Sequence, residues 1–358
     1  MIRRRRARTL LASLLVLILA PLPGVWATSA KSQPVTVPGL ELEGGRRLTF
    51  ERSFRAEPDV RLKRGFWSKV LDLVAGAPDF HALISPYETV TDSRGRFIVT
   101  DPGAAGIHIF DFAEQKYKFI YRDKDHDSLV TPQCVTVDAA DHIYVTDSQS
   151  GKIFVFEPSG KFERTIGSLK GGEGYFKRPT GIAVDSAAQR IYVTDTLRNQ
   201  VFVLDLHGNV IRTIGKPGTG QVEFNYPTEL RLVGDDLIVV DAMNFRVQVL
   251  DRSGGFRYAI GRIGDEQGEM FRPKGIGVDS EGHIYVVEAV RGMVQVFDRQ
   301  GELLYYFGER GSGFGEFQLP TGLWIDGHDR VVVVDSYNRR VQVFRYFGLP
   351  RGTGGGEH

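Results

Sequence analysis

Residues 318–344 read QLPTGLWIDGHDRVVVVDSYNRRVQVF. Three short runs follow one another, Thr321–Asp326, Val331–Asp335 and Arg340–Phe344, separated by Gly, His, Asp, Ser and Asn. Runs rich in β-branched residues and bounded by turn formers predict strands. The proline that opens the stretch recurs as Pro86, Pro132, Pro179, Pro227, Pro273 and Pro320, at intervals of 46, 47, 48, 46 and 47 residues. The acid that ends the second run recurs as Asp101, Asp147, Asp195, Asp241, Glu288 and Asp335, at intervals of 46, 48, 46, 47 and 47. Two markers that keep step define an array of one unit.

The third unit shows four strand signals, TGIAVD (180–185), RIYVTD (190–195), VFVLD (201–205) and NVIRTIG (209–215). A repeat of about 40–45 residues with four antiparallel strands is the mark of a propeller blade. A lone four-stranded sheet has two apolar faces to cover, and stacking blades about an axis covers both. The fold class predicted is all-β, a six-bladed β-propeller of four-stranded antiparallel blades. The sixth unit supplies only three strands before its Gly-rich tail. The spare N-terminal run RLTFERSF (47–54) alternates apolar and polar residues and completes that blade, leaving no open edge.

The pattern GGEGYFKRPTGIAVD (171–185), repeated as GSGFGEFQLPTGLWID (311–326), and then VVVVDSYNRRVQVF (331–344) resembles the NHL repeat. The resemblance covers residues 84–346 and implies a six-bladed propeller. It does not imply one task. NHL proteins include protein-interaction modules, extracellular sensor domains, RNA-binding domains and a metal-using peptide-amidating lyase. The first two repeats depart from the pattern: neither PGAAGIHIF after Asp101 nor SQSGKIFVF after Asp147 carries the Asn-x-Arg pair.

The head of the chain has the parts of a secretory signal. Arg3, Arg4, Arg5, Arg6 and Arg8 precede an apolar run, Leu10–Leu22, and Val25-Trp26-Ala27 offers a cleavage site. The expected address is therefore periplasmic or secreted, with no stable membrane span after cleavage. Beyond residue 27 there are 40 basic and 44 acidic side chains, so nothing draws the body to nucleic acid. Cys134 is the single cysteine, so no intramolecular disulfide forms. The predicted organisation is a signal peptide (1–27), a flexible lead-in (28–45), the propeller (46–347) with an amphipathic helix at 65–75, and a Gly-rich tail (348–358).

Propeller symmetry places Asp101, Asp147, Asp195, Asp241, Glu288 and Asp335 on one face. Two roles are open to this acidic ring. Six converging carboxylates could hold Ca²⁺, or each could cap its own turn and pair with a nearby arginine. Three and five residues beyond each acid the side chains vary, giving Arg198, Asn244, Arg291 and Asn338, then Lys152, Arg246 and Arg340. These seven are the expected binding face for carboxylates or phosphates of a partner. His142, His283 and His328 fall in turns on the opposite face, while His81 and His126 precede prolines and are expected near the mouth. No metal-ligand spacing, phosphate loop or nucleophile elbow occurs. Cys134 falls in an apolar strand, where a buried, inert thiol is expected. The leading expectation is a monomeric, non-catalytic binding or scaffold protein that meets a protein or glycan partner through the proline-side face without a cofactor. The alternative is a metal-dependent lyase or lactonase built on the acidic ring.

Overall fold

The computed structural model describes residues 39–61, 80–121 and 128–348. The signal, the 65–75 helix and the tail beyond Gly348 lie outside the described residues. Five blades follow the sequence order of their strands. Blade 3 is typical: Pro179–Asp185, Arg190–Asp195, Gln200–Asp205 and Val210–Ile214. Each strand lies within one residue of its sequence prediction. The first strand of each blade touches the first strand of the next, and that of blade 6 touches that of blade 1. The first strands therefore line the axis.

Blade 6 has five strands. Arg47–Phe54 pairs antiparallel with Arg340–Phe347, setting Phe50 opposite Phe344 and Phe54 opposite Val341. Gly39–Glu41 adds outside it, with Leu40 opposite Leu48. The lead-in expected to be flexible through residue 45 thus contributes a strand. Leu40 and Leu42 pack on the cluster that contains Leu48 and Phe344, and that apolar contact draws the segment in.

Six hydrophobic clusters fill the spaces between successive blades. The cluster that closes the ring joins Val332, Val334, Val341 and Val343 of blade 6 to Phe97, Val99 and Phe110 of blade 1, with Phe54 among them. Period-two alternation explains the division: alternate residues of one strand serve the clusters on its two sides. Hydroxyls add bonds across the same boundaries. Thr100 Oγ1 donates to the Gln133 carbonyl at 2.5 Å, Thr146 Oγ1 to Thr180 at 2.5 Å and Thr196 Oγ1 to Pro227 at 2.7 Å.

Candidate functional site

Every acid of the ring is fully buried and ties two segments of its own blade. Asp147 accepts from the amides of Val130, Thr131 and Ser150 at 2.6, 2.8 and 2.9 Å. Asp101 does the same with Ile84, Ser85 and Ala104 at 2.6, 2.9 and 3.1 Å. Asp195 accepts from Lys177 and Arg178, and Glu288 from Phe271 and Arg272. Burial pushes the Asp101 carboxyl up, but bonds from His108 and from the Ile84 and Ser85 amides outweigh it and leave it below its ordinary range. Glu288 goes the other way. Burial raises it above the bonds from Arg272 and Phe271, and its Oε1 has no partner. Among the described residues, these six acids form no group of three within metal-ligand reach. Amides and neighbouring side chains bond most of the ring's carboxylate oxygens, as the turn-capping reading requires.

The expected binding arginines also turn inward. Arg340 bonds Asp335 at 2.7 Å and the carbonyls of Ser312, Gly313 and Glu316 at 2.8, 2.6 and 2.9 Å. Arg246 bonds Asp241, Gly220 and Glu223 in the same way at 2.9, 2.6 and 3.1 Å. Asn244 and Asn338 donate to Gly218 and Gly311, each at 2.8 Å. Arg198 donates to the Tyr175 carbonyl at 2.8 Å and stacks on that ring, Arg291 donates to Glu266 at 2.7 Å, and Lys152 is buried. The arginines and asparagines clasp the links ahead of Pro179, Pro227, Pro273 and Pro320, which is a structural task. A further position escaped sequence reading. Seven residues past the acid stand His108, Gln248, Gln295 and Gln342, and His108, Gln248 and Gln342 approach the acid at 3.4, 3.0 and 3.2 Å.

The chemistry lies deeper, on the axis. Two residues past each proline stand Glu88, Cys134, Gly181, Glu229, Gly275 and Gly322. The glycines permit close approach, since a Cβ on Gly181 would sit 2.7 Å from the Leu230 amide and one on Gly322 2.6 Å from the Tyr87 carbonyl. The other three residues meet. Cys134 Sγ donates to Glu229 Oε2 at 2.9 Å, and one ligand atom from each of Glu88, Cys134 and Glu229 lies within 4.8 Å of the others. Arg231 sits among them, with Nη1 2.5 Å from Glu229 Oε1 and Nη2 3.3 Å from Glu88 Oε1. Its guanidinium lies 5.4 Å from the Trp324 ring. All four charged or thiol side chains are nearly or fully buried. Burial, then repulsion from Glu229, drives the Glu88 carboxyl well above its ordinary range against the pull of Arg231. Burial, then nearby Glu229 and Glu88, raises the Cys134 thiol, so it is a protonated donor and not a nucleophile. Glu88, Cys134 and Glu229 are the residues that could hold a metal. They do not fit one well, because the Arg231 guanidinium already serves as their cation.

Above this floor, on the proline side, is the mouth. The residue after each proline is Tyr87, Gln133, Thr180, Thr228, Lys274 or Thr321, and the residue before it is Ser85, Thr131, Arg178, Tyr226, Arg272 or Leu319. The ammonium of Lys274 in blade 5 lies 5.5 Å from the Tyr87 ring of blade 1. Arg178 Nη1 donates to Tyr226 Oη at 2.8 Å. Around the mouth stand Ile84, Leu197, Met243, Phe271, Leu319 and Tyr337, all exposed. They share one face because each turn after an acid bonds a link before a proline, as Met243 N does with Asn225 O and Tyr337 N with Gln318 O. Of the expected mouth histidines, His81 is exposed and packs on Phe119 at 4.9 Å, whereas His126 lies outside the described residues. On the opposite face a groove of about 1020 Å³ runs between blades 1 and 6, lined by Arg52, Arg61, Arg94, Trp324, Arg330 and Arg345 among others. Most of its cations are already engaged: Arg330 with Asp326 at 2.6 Å, Arg61 with Glu57 at 2.5 Å, Arg345 with Glu51, and Arg52 over Phe112 at 4.5 Å.

Solved structures share this architecture. A virginiamycin B lyase from Staphylococcus aureus matches 73% of this chain and 94% of its own at 16% identity, with a TM-score of 0.53. A gluconolactonase from Xanthomonas campestris matches 86% of this chain and 92% of its own at 14% identity and a TM-score of 0.57. An auxiliary nutrient binding protein from Bacteroides thetaiotaomicron matches 74% of this chain and 69% of its own, also at 14% and 0.57. At such identities the likeness is one of fold, and fold does not carry function. No curated protein matches the chain in sequence. The model of one family, described as 6-bladed beta-propeller, matches four overlapping segments, 124–189, 184–232, 219–293 and 280–348. Together these span more than half of the 358 residues, and the chain belongs to this 6-bladed beta-propeller family, DUF5128.

Proposed function

We propose that this protein is an exported, non-catalytic binding propeller that takes its ligand on the proline-side face, over the axial mouth. The observation that supports this reading is the pairing there of cations with an exposed apolar collar, Leu197, Met243, Phe271 and Tyr337 among its members. A surface that offers both charge and apolar area suits recognition. The seven side chains first expected to make the contact are engaged elsewhere, so the face is kept and its contact residues change. The lyase or lactonase alternative has less support, because the acidic ring is bonded to its own blades and the axial thiol is held protonated.

Site-specific photo-crosslinking tests the face. A photoreactive residue at Leu197 or Met243 should give a discrete adduct in the protein's own envelope extract. The same residue at Ala139 or His328, exposed on the opposite rim, should give none. Equal adducts from both faces would overturn the reading.

A further inference from the structure

Taking that mouth as the binding face, we infer that it is built for an oxyanion, a carboxylate or phosphate group of a small molecule, held between Lys274, Arg178 and Arg272. Among the described residues, no carboxylate lies within ion-pair distance of any of the three cations. The contrast with the rest of this face is clear: Arg198, Arg246 and Arg340 each pair with the acid of their own blade. The acids nearest Lys274 offer no substitute. Glu229 is bonded by Arg231 and Cys134, and Glu88 lies against Arg231.

Lys274 is the centre of the site. Its ammonium lies 5.5 Å from the Tyr87 ring, which packs on the buried cluster of Cys134 and Ile182. Burial, then repulsion from Arg272 and Arg178, lowers its basicity against the pull of Cys134 and Glu229. A cation held under those conditions without a counter-ion destabilises the fold, and an anion entering from the mouth removes the strain. Donors stand ready for its oxygens. Tyr226 Oη accepts from Arg178, so its own proton is free to be given. At the position in blade 4 equivalent to Lys274, the Thr228 hydroxyl is buried without a partner. An ammonium supplies a point charge, and a guanidinium a planar fork matched to carboxylate or phosphate oxygens. A divalent cation would meet repulsion here, and a neutral sugar would leave Lys274 uncompensated.

The test uses the mature chain in low-chloride buffer, with thermal melting and calorimetry against inorganic phosphate, glucuronate and, as neutral control, glucose. Phosphate or glucuronate should raise the wild-type melting temperature saturably, and glucose should not. The preferred anion identifies the source as phosphate or carboxylate. K274M should melt higher than wild type without anion and bind the preferred anion at least tenfold more weakly. R178Q/R272Q, altered at exposed positions, serves if K274M folds poorly, and should also bind at least tenfold more weakly. Absence of a saturable anion effect, equal binding by the variants, or an equal response to glucose would overturn the inference. Adducts from Leu197 and Met243 alongside such a result would leave the binding face standing, whereas loss of those adducts with anion binding intact would remove the face and spare the anion site.

Discussion

Arg231 Nη1 and Glu229 Oε1 lie 2.5 Å apart in the same innermost strand, two residues from one another, with 7% and 4% of their side chains exposed. The pair faces the axis, and Arg231 Nη2 also lies 3.3 Å from Glu88 Oε1. Removing one member of a buried ion pair leaves the other uncompensated, at a cost of about 3–5 kcal/mol, whereas replacing the whole set with neutral groups is often tolerated. R231M should therefore lose stability of that order in chemical denaturation. E88Q/E229Q/R231M should recover most of it. A triple variant no better than R231M would show that the floor contributes through shape and not charge.

Glu88 makes stability depend on pH. Its folded carboxyl titrates above the unfolded one because of burial and then Glu229. The folded state thus binds the proton more tightly, and the contribution is complete below the unfolded pKa of about 4.3. It is lost as pH rises through the folded pKa. E88Q removes this titration. The stability difference between E88Q and wild type should grow in favour of E88Q from about pH 4.3 upward. A difference that stays constant with pH would contradict the assignment.

The blade frame was legible in the sequence because prolines and acids mark both ends of the two inner strands of every unit, and strand chemistry between them is local. The closing strand was legible too, since blade 6 lacked a partner for Arg340–Phe347. The site was harder to see. Asn338 and Arg340 look like free side chains in the sequence, but the Gly-rich link offers carbonyls to them, and only the folded link reveals that. The axial set was present as a departure from a column: Pro-Thr-Gly in blades 3 and 6 becomes Pro-Tyr-Glu, Pro-Gln-Cys and Pro-Thr-Glu in blades 1, 2 and 4. What the column could not give was that Glu88, Cys134 and Glu229, up to 141 residues apart in the chain, converge on one point.

The clasps make a second prediction about charge. Arg340 satisfies three link carbonyls and Asp335 while mostly buried. R340A and R246A should each cost about 1–3 kcal/mol, because buried acceptors lose their donors. R339A, at an exposed neighbouring position, should change stability by less than about 0.5 kcal/mol. If R340A melted like R339A, Arg340 would return as a candidate contact for a partner.

Closure through the N-terminal strand is the strongest claim on stability. Phe54 is 1% exposed, lies 5.1 and 4.7 Å from the rings of Phe97 and Phe110, and so binds the closing strand of blade 6 to blade 1. F54A should cost about 3–5 kcal/mol. Deletion of residues up to 55 should be worse, because it also strips the hydrogen bonds from Arg340–Phe347 and exposes a long strand edge. That truncated chain should aggregate, and a peptide spanning 39–56 should restore a soluble monomer by refilling the edge. Deletion of 349–358 should leave the melting temperature within a degree or so of wild type, because the last strand of blade 6 ends at Phe347. Similar melting for the two truncations would mean that the ring is held by the contacts of its first strands alone.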